Sequence, residues 1–365
     1  MSLKCGIIGL AGTGKTTIFN CMSNVRAATS RSAFSSSKAN LCVIPVPDDR
    51  LHAINKIVQA DKVTPATVEI IDIPGLGKGV VPGEGTGSKF LAEVQQCDAL
   101  IHVLRCFDDE SLPHIEGSVD PVRDIEILDL ELQAKDLDSV NKKMQRLEKV
   151  AVAGDTEANR AVEMIQVYKK HLEDFQPVRS APVETDDNKY IAELFLLSDK
   201  PVIYVCNVDD ASAAGGNAYV ERVRDALREQ EAEVLVIAGA LEAEIAELED
   251  PADRQAFLAD AGLTEPGVNK LIRSAYRMLD LQSFFTAGNK EVRAWTIHRG
   301  MTAQQAAGII HSDMERGFIR AEVLRSEDFI ELGSEHACKE AGRFKVEGKS
   351  YVVQEGDILH IRFNV

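Results

Sequence analysis

The stretch Gly9-Leu10-Ala11-Gly12-Thr13-Gly14-Lys15-Thr16-Thr17 decides the fold, because it satisfies G-x-x-x-x-G-K-[ST] at every defined position. Apolar, β-branched Ile7-Ile8 precedes it, and Ile18-Phe19-Asn20 follows with a helical pattern. That strand–loop–helix setting separates a phosphate-binding loop from a chance string of glycines. In such a loop successive backbone N–H groups form a nest for phosphate oxygens, reinforced by the positive end of the next helix. Gly12, Thr13, Gly14, Lys15, Thr16 and Thr17 are the expected cradle. Lys15 is expected to reach the β- and γ-phosphates, and the Thr16 hydroxyl to ligate Mg²⁺. A nucleoside triphosphate is the expected ligand. The loop alone says nothing of its base or its fate.

Working outward, strand-like runs recur at 3–8, 41–44, 68–73, 99–105, 201–206 and 234–238, mostly separated by helical stretches. This alternation predicts an α/β fold with a mostly parallel sheet, whose ligands sit at the carboxyl ends of the strands. One run ends in Asp72-Ile73-Pro74-Gly75, the D-x-x-G form in which Asp72 holds Mg²⁺, usually through water, and the Gly75 N–H meets the γ-phosphate. The glycine-rich stretch that follows, 76–87, suits a loop ordered by γ-phosphate contacts. Ras-like enzymes carry a water-orienting glutamine right after this motif. Here Leu76 stands there and offers no polar atom. Hydrolysis is therefore slow, or another residue positions the water. A later run enters Asn207-Val208-Asp209-Asp210, an N-x-x-D base-reading pattern with Val208 in place of the usual lysine.

Composition sets the outer bounds. The 365 residues are 45% hydrophobic and 27% charged, with a net charge of −17, which argues against a broadly basic nucleic-acid binder. The seven cysteines are scattered without a C-x-x-C pair, as reduced thiols of a cytosol would be, and a metal cluster is not expected. The start of the chain has no signal-peptide pattern, and no apolar stretch is long enough to span a membrane.

Between the fourth and fifth main strands the apolar positions Leu130, Leu137, Val140, Met144, Leu147 and Ala151, then Ala161, Ile165, Tyr168, Leu172 and Phe175, predict an antiparallel helical hairpin. Lys142, Lys143, Arg146 and Lys149 fall near the tip of its first helix, a solvated face with the option of a phosphate-backbone contact. The last part reads as a small α+β module: a strand at 292–297, a helix begun by Thr302, and two closing strands within 351–363.

These residues carry a family resemblance. Phe284-Phe285-Thr286-Ala287-Gly288, Lys290-Glu291-Val292-Arg293-Ala294-Trp295-Thr296, Gln305-Ala306-Ala307-Gly308, Gly317-Phe318-Ile319-Arg320-Ala321 and Arg362-Phe363-Asn364-Val365 resemble a TGS domain, and Gly83-Glu84-Gly85 and Arg105-Cys106-Phe107 agree with its nucleotide domain. The whole resembles the YchF-type Obg-like ATPases, within the translation-factor class of P-loop GTPases. The resemblance implies a G domain at 1–128 and 199–280, a helical coiled-coil insertion at 129–198 and a TGS domain at 281–365. It further implies a cytoplasmic switch that prefers ATP, hydrolyses it slowly and associates with the ribosome, either the large subunit or the whole particle. RNA contact through the arm and the TGS domain is part of that expectation, and a membrane is not.

The family's motif also accounts for Leu76, since an apolar residue is usual there. Its proposed replacement for glutamine is a histidine in the loop after Arg-Cys-Phe, which falls on His114. Three departures stand out. Ala11-Gly12-Thr13 replaces the family's Pro-Asn-Val, which puts potassium dependence in question. Ser36 takes the position of the Mg²⁺-binding switch threonine, with Ser35 and Ser37 as alternatives. Asp210 stands where the family's base-reading motif typically ends in Glu. Two other functions stay open at this point: a GTP-preferring GTPase of the same fold, and a nucleotide-gated ribosome or RNA binder with negligible turnover.

Overall fold

The computed structural model describes residues 3–23, 39–76, 86–151, 156–183 and 189–364. The chain divides into two compact units, Met1–Cys42 with Glu69–Leu271, and Val43–Val68 with Ile272–Val365. Residues 43–68 group by their contacts with the C-terminal segment.

In chain order, β1 (Lys4–Ile8) leads to α1 (Lys15–Met22) and β2 (Asn40–Pro45); α2 (Asp49–Val58) and β3 (Lys62–Thr64) are described with the second unit. Then come β4 (Thr67–Asp72), α3 (Thr86–Gln95), β5 (Ala99–Arg105), α4 (Pro121–Ala151), α5 (Thr156–Glu173) and β6 (Val202–Asn207). The first unit continues with α6 (Ala218–Leu227), β7 (Val234–Ile237), α7 (Gly239–Glu247), α8 (Pro251–Asp260) and the start of α9 (Gly267–Met278). Its sheet runs β2-β4-β1-β5-β6-β7. β1 pairs in parallel with β4 on one side and β5 on the other, and β5–β6 and β6–β7 are also parallel. The chain order reverses about β1, so the carboxyl end of β1 opens at a topological switch point, where such sheets bind ligands. All seven residues of β5 are buried, as a central parallel strand covered on both faces requires.

The predicted hairpin is α4 against α5, but α4 is a single 31-residue helix that begins at Pro121, ahead of the expected boundary at 129. Its first turns belong to the core beside the sheet: Leu128 and Leu132 pack with Ile8, Leu10, Phe90 and Val94. Further out, Val140 and Met144 meet Ile165, Tyr168 and Leu172. Leu130 and Phe175 fall off the predicted stripe, 45% and 70% exposed. The chain returns from the arm onto α4, where the buried Asp136 carboxylate accepts from Leu197 N–H at 2.8 Å, Ser198 N–H at 2.7 Å and Ser198 Oγ at 2.7 Å. Two of the arm's cations are engaged at home, Lys142 with Asp138 at 2.6 Å and Lys143 with Glu193 at 2.8 Å.

The second unit adds β8 (Leu281–Ala287), β9 (Glu291–His298), α10 (Ala303–Ile310), α11 (Ser312–Arg316), β10 (Phe318–Arg325), α12 (Ser326–Leu332), α13 (Glu335–Glu340), β11 (Lys345–Glu347) and β12 (Asp357–Phe363). Its sheet order is β11-β10-β12-β8-β9-β3. Thr302 caps α10 with a full capping box to Gln305. The module is more helical than the single helix expected. The predicted pair of closing strands is one strand, β12; Val352 makes only an isolated bridge to Thr302. β3 is an addition that the sequence did not announce. It lies parallel to β9, where Thr64 Oγ1 donates to Glu291 Oε1 at 2.6 Å and Lys62 pairs with the same carboxylate at 3.0 Å.

Candidate nucleotide site

The loop between β1 and α1 is closed on itself. Leu10 O accepts from the Thr13 hydroxyl at 3.2 Å and from Lys15 Nζ at 2.6 Å. Gly14, in the left-handed region at φ +89°, leads into α1 with no side chain capping the helix, so the first N–H groups of α1 remain donors for a ligand. A Cβ at Gly14 would lie 2.2 Å from Asn207 Nδ2, which leaves glycine the residue that fits. Burial lowers the Lys15 ammonium to about 8, opposed by the Asp72 carboxylate. Thr17 is half-buried beside it on α1.

Thr16 and Asp72 are brought together as expected: the Thr16 hydroxyl donates to Asp72 Oδ2 at 2.8 Å. Burial pushes the Asp72 carboxyl up, against the pull of Thr16 and Lys15. Gly75 lies against the loop so closely that a Cβ there would stand 2.5 Å from Lys15 Nζ and 3.1 Å from Ala11 N. The third residue expected at a metal, Ser36, lies outside the described residues, as do Ser35 and Ser37. A hydroxyl and a carboxylate in contact are hard oxygen donors of the kind Mg²⁺ takes, so the pair fits that ion.

Leu76 is 5% exposed and packs with Ile8, Leu10, Ile73 and Phe90, while its carbonyl accepts from Ala11 N–H at 3.2 Å. The position after D-x-x-G is thus a core position, zipped to the phosphate loop through the Leu10–Leu76 bridge.

At the end of β6, Asn207 acts as a tie. Its Nδ2 donates to Thr13 O at 2.9 Å, and its Oδ1 accepts from Gly239 N–H at 3.0 Å. Val208, expected beside the base, instead turns its side chain into the core with Leu104, Tyr204 and Val220. Asp210 is exposed at the start of a short 3₁₀ turn, Asp210–Ser212.

His114 is neither a solvent-exposed loop residue nor turned out toward the phosphate loop. Its side chain is 3% exposed, with Nε2 2.9 Å from Asp124 Oδ2. Glu116 N–H donates to its Nδ1 at 3.1 Å. Asp124 had no signal in the sequence, being one acid among several in the first turns of α4. Asn217 was missed as well; it caps α6 and its Nδ2 donates to Cys106 O at 2.7 Å.

Both units have known relatives. Residues 4–149 match the family described as 50S ribosome-binding GTPase, and residues 281–364 match the C-terminal YchF-GTPase family, described as a protein of unknown function. Over 365 residues the chain is 44% identical to the ribosome-binding ATPase YchF of Haemophilus ducreyi, with 100% of each chain covered. The chain belongs to the YchF family. Identity to the YchF of Bacillus subtilis is 42% with the same coverage, and to the Obg-like ATPase 1 of Pongo abelii 39%, over 100% of this chain and 93% of that one. The solved YchF GTPase of Schizosaccharomyces pombe superposes with a TM-score of 0.86 at 31% identity, covering 99% of this chain and 98% of that one. The P-loop NTPase fold of the family lies in the first unit, and the family's own C-terminal domain in the second. Among the described residues no helix is long and apolar enough to cross a membrane.

Proposed function

We propose that this chain is a nucleotide-dependent switch of the cytoplasm that binds and slowly hydrolyses ATP and associates with the ribosome. The observation that carries the chemistry is the Thr16–Asp72 contact at 2.8 Å beside an intact phosphate loop. ATP and the ribosome rest on full-length similarity to proteins named ribosome-binding ATPases. The uncapped N-terminus of α1 and the amides of Gly12, Thr13 and Gly14 bind the phosphates. Lys15 exchanges the Leu10 carbonyl for phosphate oxygens and meets the charge that develops on the transferring group. Thr16 and Asp72 would hold Mg²⁺, which supplies charge neutralisation at the β- and γ-oxygens. Leu76 leaves the attacking water to His114, whose ring must first leave Asp124. That requirement matches slow intrinsic turnover.

The GTP-preferring reading has less support. The lysine that packs beside guanine would have to occupy position 208, and that side chain is 2% exposed in the core. Hydrolysis of ATP and GTP side by side, with and without ribosomes, tests the proposal. ATP turnover that rises with ribosomes is expected. A large GTP advantage, or nucleotide binding without product even with ribosomes present, would overturn it.

A further inference from the structure

The strongest unexplained arrangement in the first unit is the environment of His114. An amide N–H can only donate, so the Glu116 N–H contact makes Nδ1 an acceptor. Arg123 Nη2, 3.4 Å from Nδ1, is a donor too and agrees. The ring proton therefore sits on Nε2 and is given to Asp124 Oδ2 at 2.9 Å. Both nitrogens are engaged, and the ring has neither a lone pair nor an N–H left for a water.

The loop that carries His114 is anchored from two directions. Asp124 Oδ1 accepts from Arg123 Nη2 at 3.0 Å, and the same nitrogen donates to Ser118 O at 2.7 Å, which closes residues 114–118 onto the first turn of α4. On the other side, Arg105 donates to the carbonyls of Phe107, Asp109 and Leu112. Leu112 in turn lies 3.9 Å from where a Cβ of Gly12 would stand. One loop thus lies beside the phosphate loop at Leu112 and is bolted to the arm helix through His114.

We propose that Asp124 is the positioning residue of His114: it stores the ring at the root of the arm, and displacement of α4 by the arm's partner releases it to the nucleotide. Because α4 is one continuous helix from Pro121 to Ala151, the carboxylate that holds the histidine and the surface of the arm move as one body. The proposal rests on the reading of His114 as the group that addresses the water.

The test compares wild type, Asp124→Ala, Asp124→Asn and His114→Ala in the full chain, with two readouts. The first is carbethoxylation of His114 by diethyl pyrocarbonate, followed by mass spectrometry. The second is steady-state ATP hydrolysis without ribosomes. Losing a buried charge-assisted hydrogen bond is expected to raise His114 modification and basal kcat roughly tenfold in Asp124→Ala, with KM unchanged. Asp124→Asn keeps one acceptor oxygen for Nε2–H but loses the charge and the oxygen that Arg123 uses, and is expected to fall between wild type and Asp124→Ala in both readouts. Unchanged His114 modification in Asp124→Ala overturns the latch, and so does a fall in its basal kcat. If His114→Ala leaves turnover with and without ribosomes at the wild-type level, the catalytic reading of His114 fails and this proposal with it. The labelling and the kinetics separate the two failures.

Discussion

The side-chain amide of Asn207 donates to the carbonyl of Thr13 at 2.9 Å, joining the end of β6 to the phosphate loop across 194 positions of sequence. Its other end takes Gly239 N–H, so one residue holds the phosphate loop, β6 and the start of α7 in register. Asn207→Ala leaves two buried backbone groups without partners. It is expected to cost about 2 kcal/mol of stability. Preorganisation of the loop is lost as well, weakening ATP roughly tenfold. Chemical denaturation and equilibrium nucleotide titration read the two effects separately.

Leu76→Gln tests whether the position after D-x-x-G is a water site or a core site. Leu76 is surrounded by Leu10, Ile73 and Phe90, so an amide there is buried without partners. A loss of about 2–3 kcal/mol with no gain in kcat is expected. Faster hydrolysis would show that this side chain faces the nucleotide after all.

Lys15 predicts a pH dependence of the nucleotide-free protein. Its value falls from 10.5 to about 8 in the folded chain because burial disfavours the ammonium. Between those values the unfolded chain binds more protons than the native one, so stability rises with pH across that window. Below pH 8 the full penalty applies, and it is relieved as the ammonium is lost. Denaturation of wild type against Lys15→Met between pH 7.5 and 9.5 isolates the effect from the thiols and phenols. Wild type is expected to gain on the variant as pH rises, and a parallel pair of curves would contradict it.

Asp136→Ala removes the acceptor of three hydrogen bonds where the chain returns from the arm. A loss of about 3 kcal/mol is expected. Faster hydrogen exchange at Leu197 and Ser198 is expected to accompany it, while ATP affinity stays near wild type, because Asp136 bonds to no residue of the phosphate loop.

What could be read from residue order alone is what is contiguous in the chain. The phosphate loop and D-x-x-G are local strings whose chemistry follows from their own residues, and Thr16 and Asp72 meet as those strings imply. The recurrence of apolar strand runs separated by helical stretches made the parallel sheet visible for the same reason. Asn207 and Val208 were harder, because a base-reading pattern does not disclose that one side chain turns to Thr13 and the other into the core. His114 was legible as a candidate, but its partner Asp124 is set by where a loop lands on α4. β3 has three residues, too few for periodicity to register, and its place is set by a distant partner, the parallel pairing with β9 in which Thr64 binds Glu291.

That last pairing has a consequence for how the protein is made. Thr64 is synthesised 227 positions before the Glu291 it binds. At ordinary elongation rates the gap is roughly 10–45 s of translation, during which β3 has no neighbour. β2 and β4, on either side of it in the chain, join the parallel sheet, so it is the stretch between them that waits while the arm and the rest of that sheet emerge. The second unit completes late, by a long-range closure that is intrinsically slow. A chain ended after residue 280 would carry a stranded edge from its first hundred residues, so the C-terminal unit has no clean point of excision.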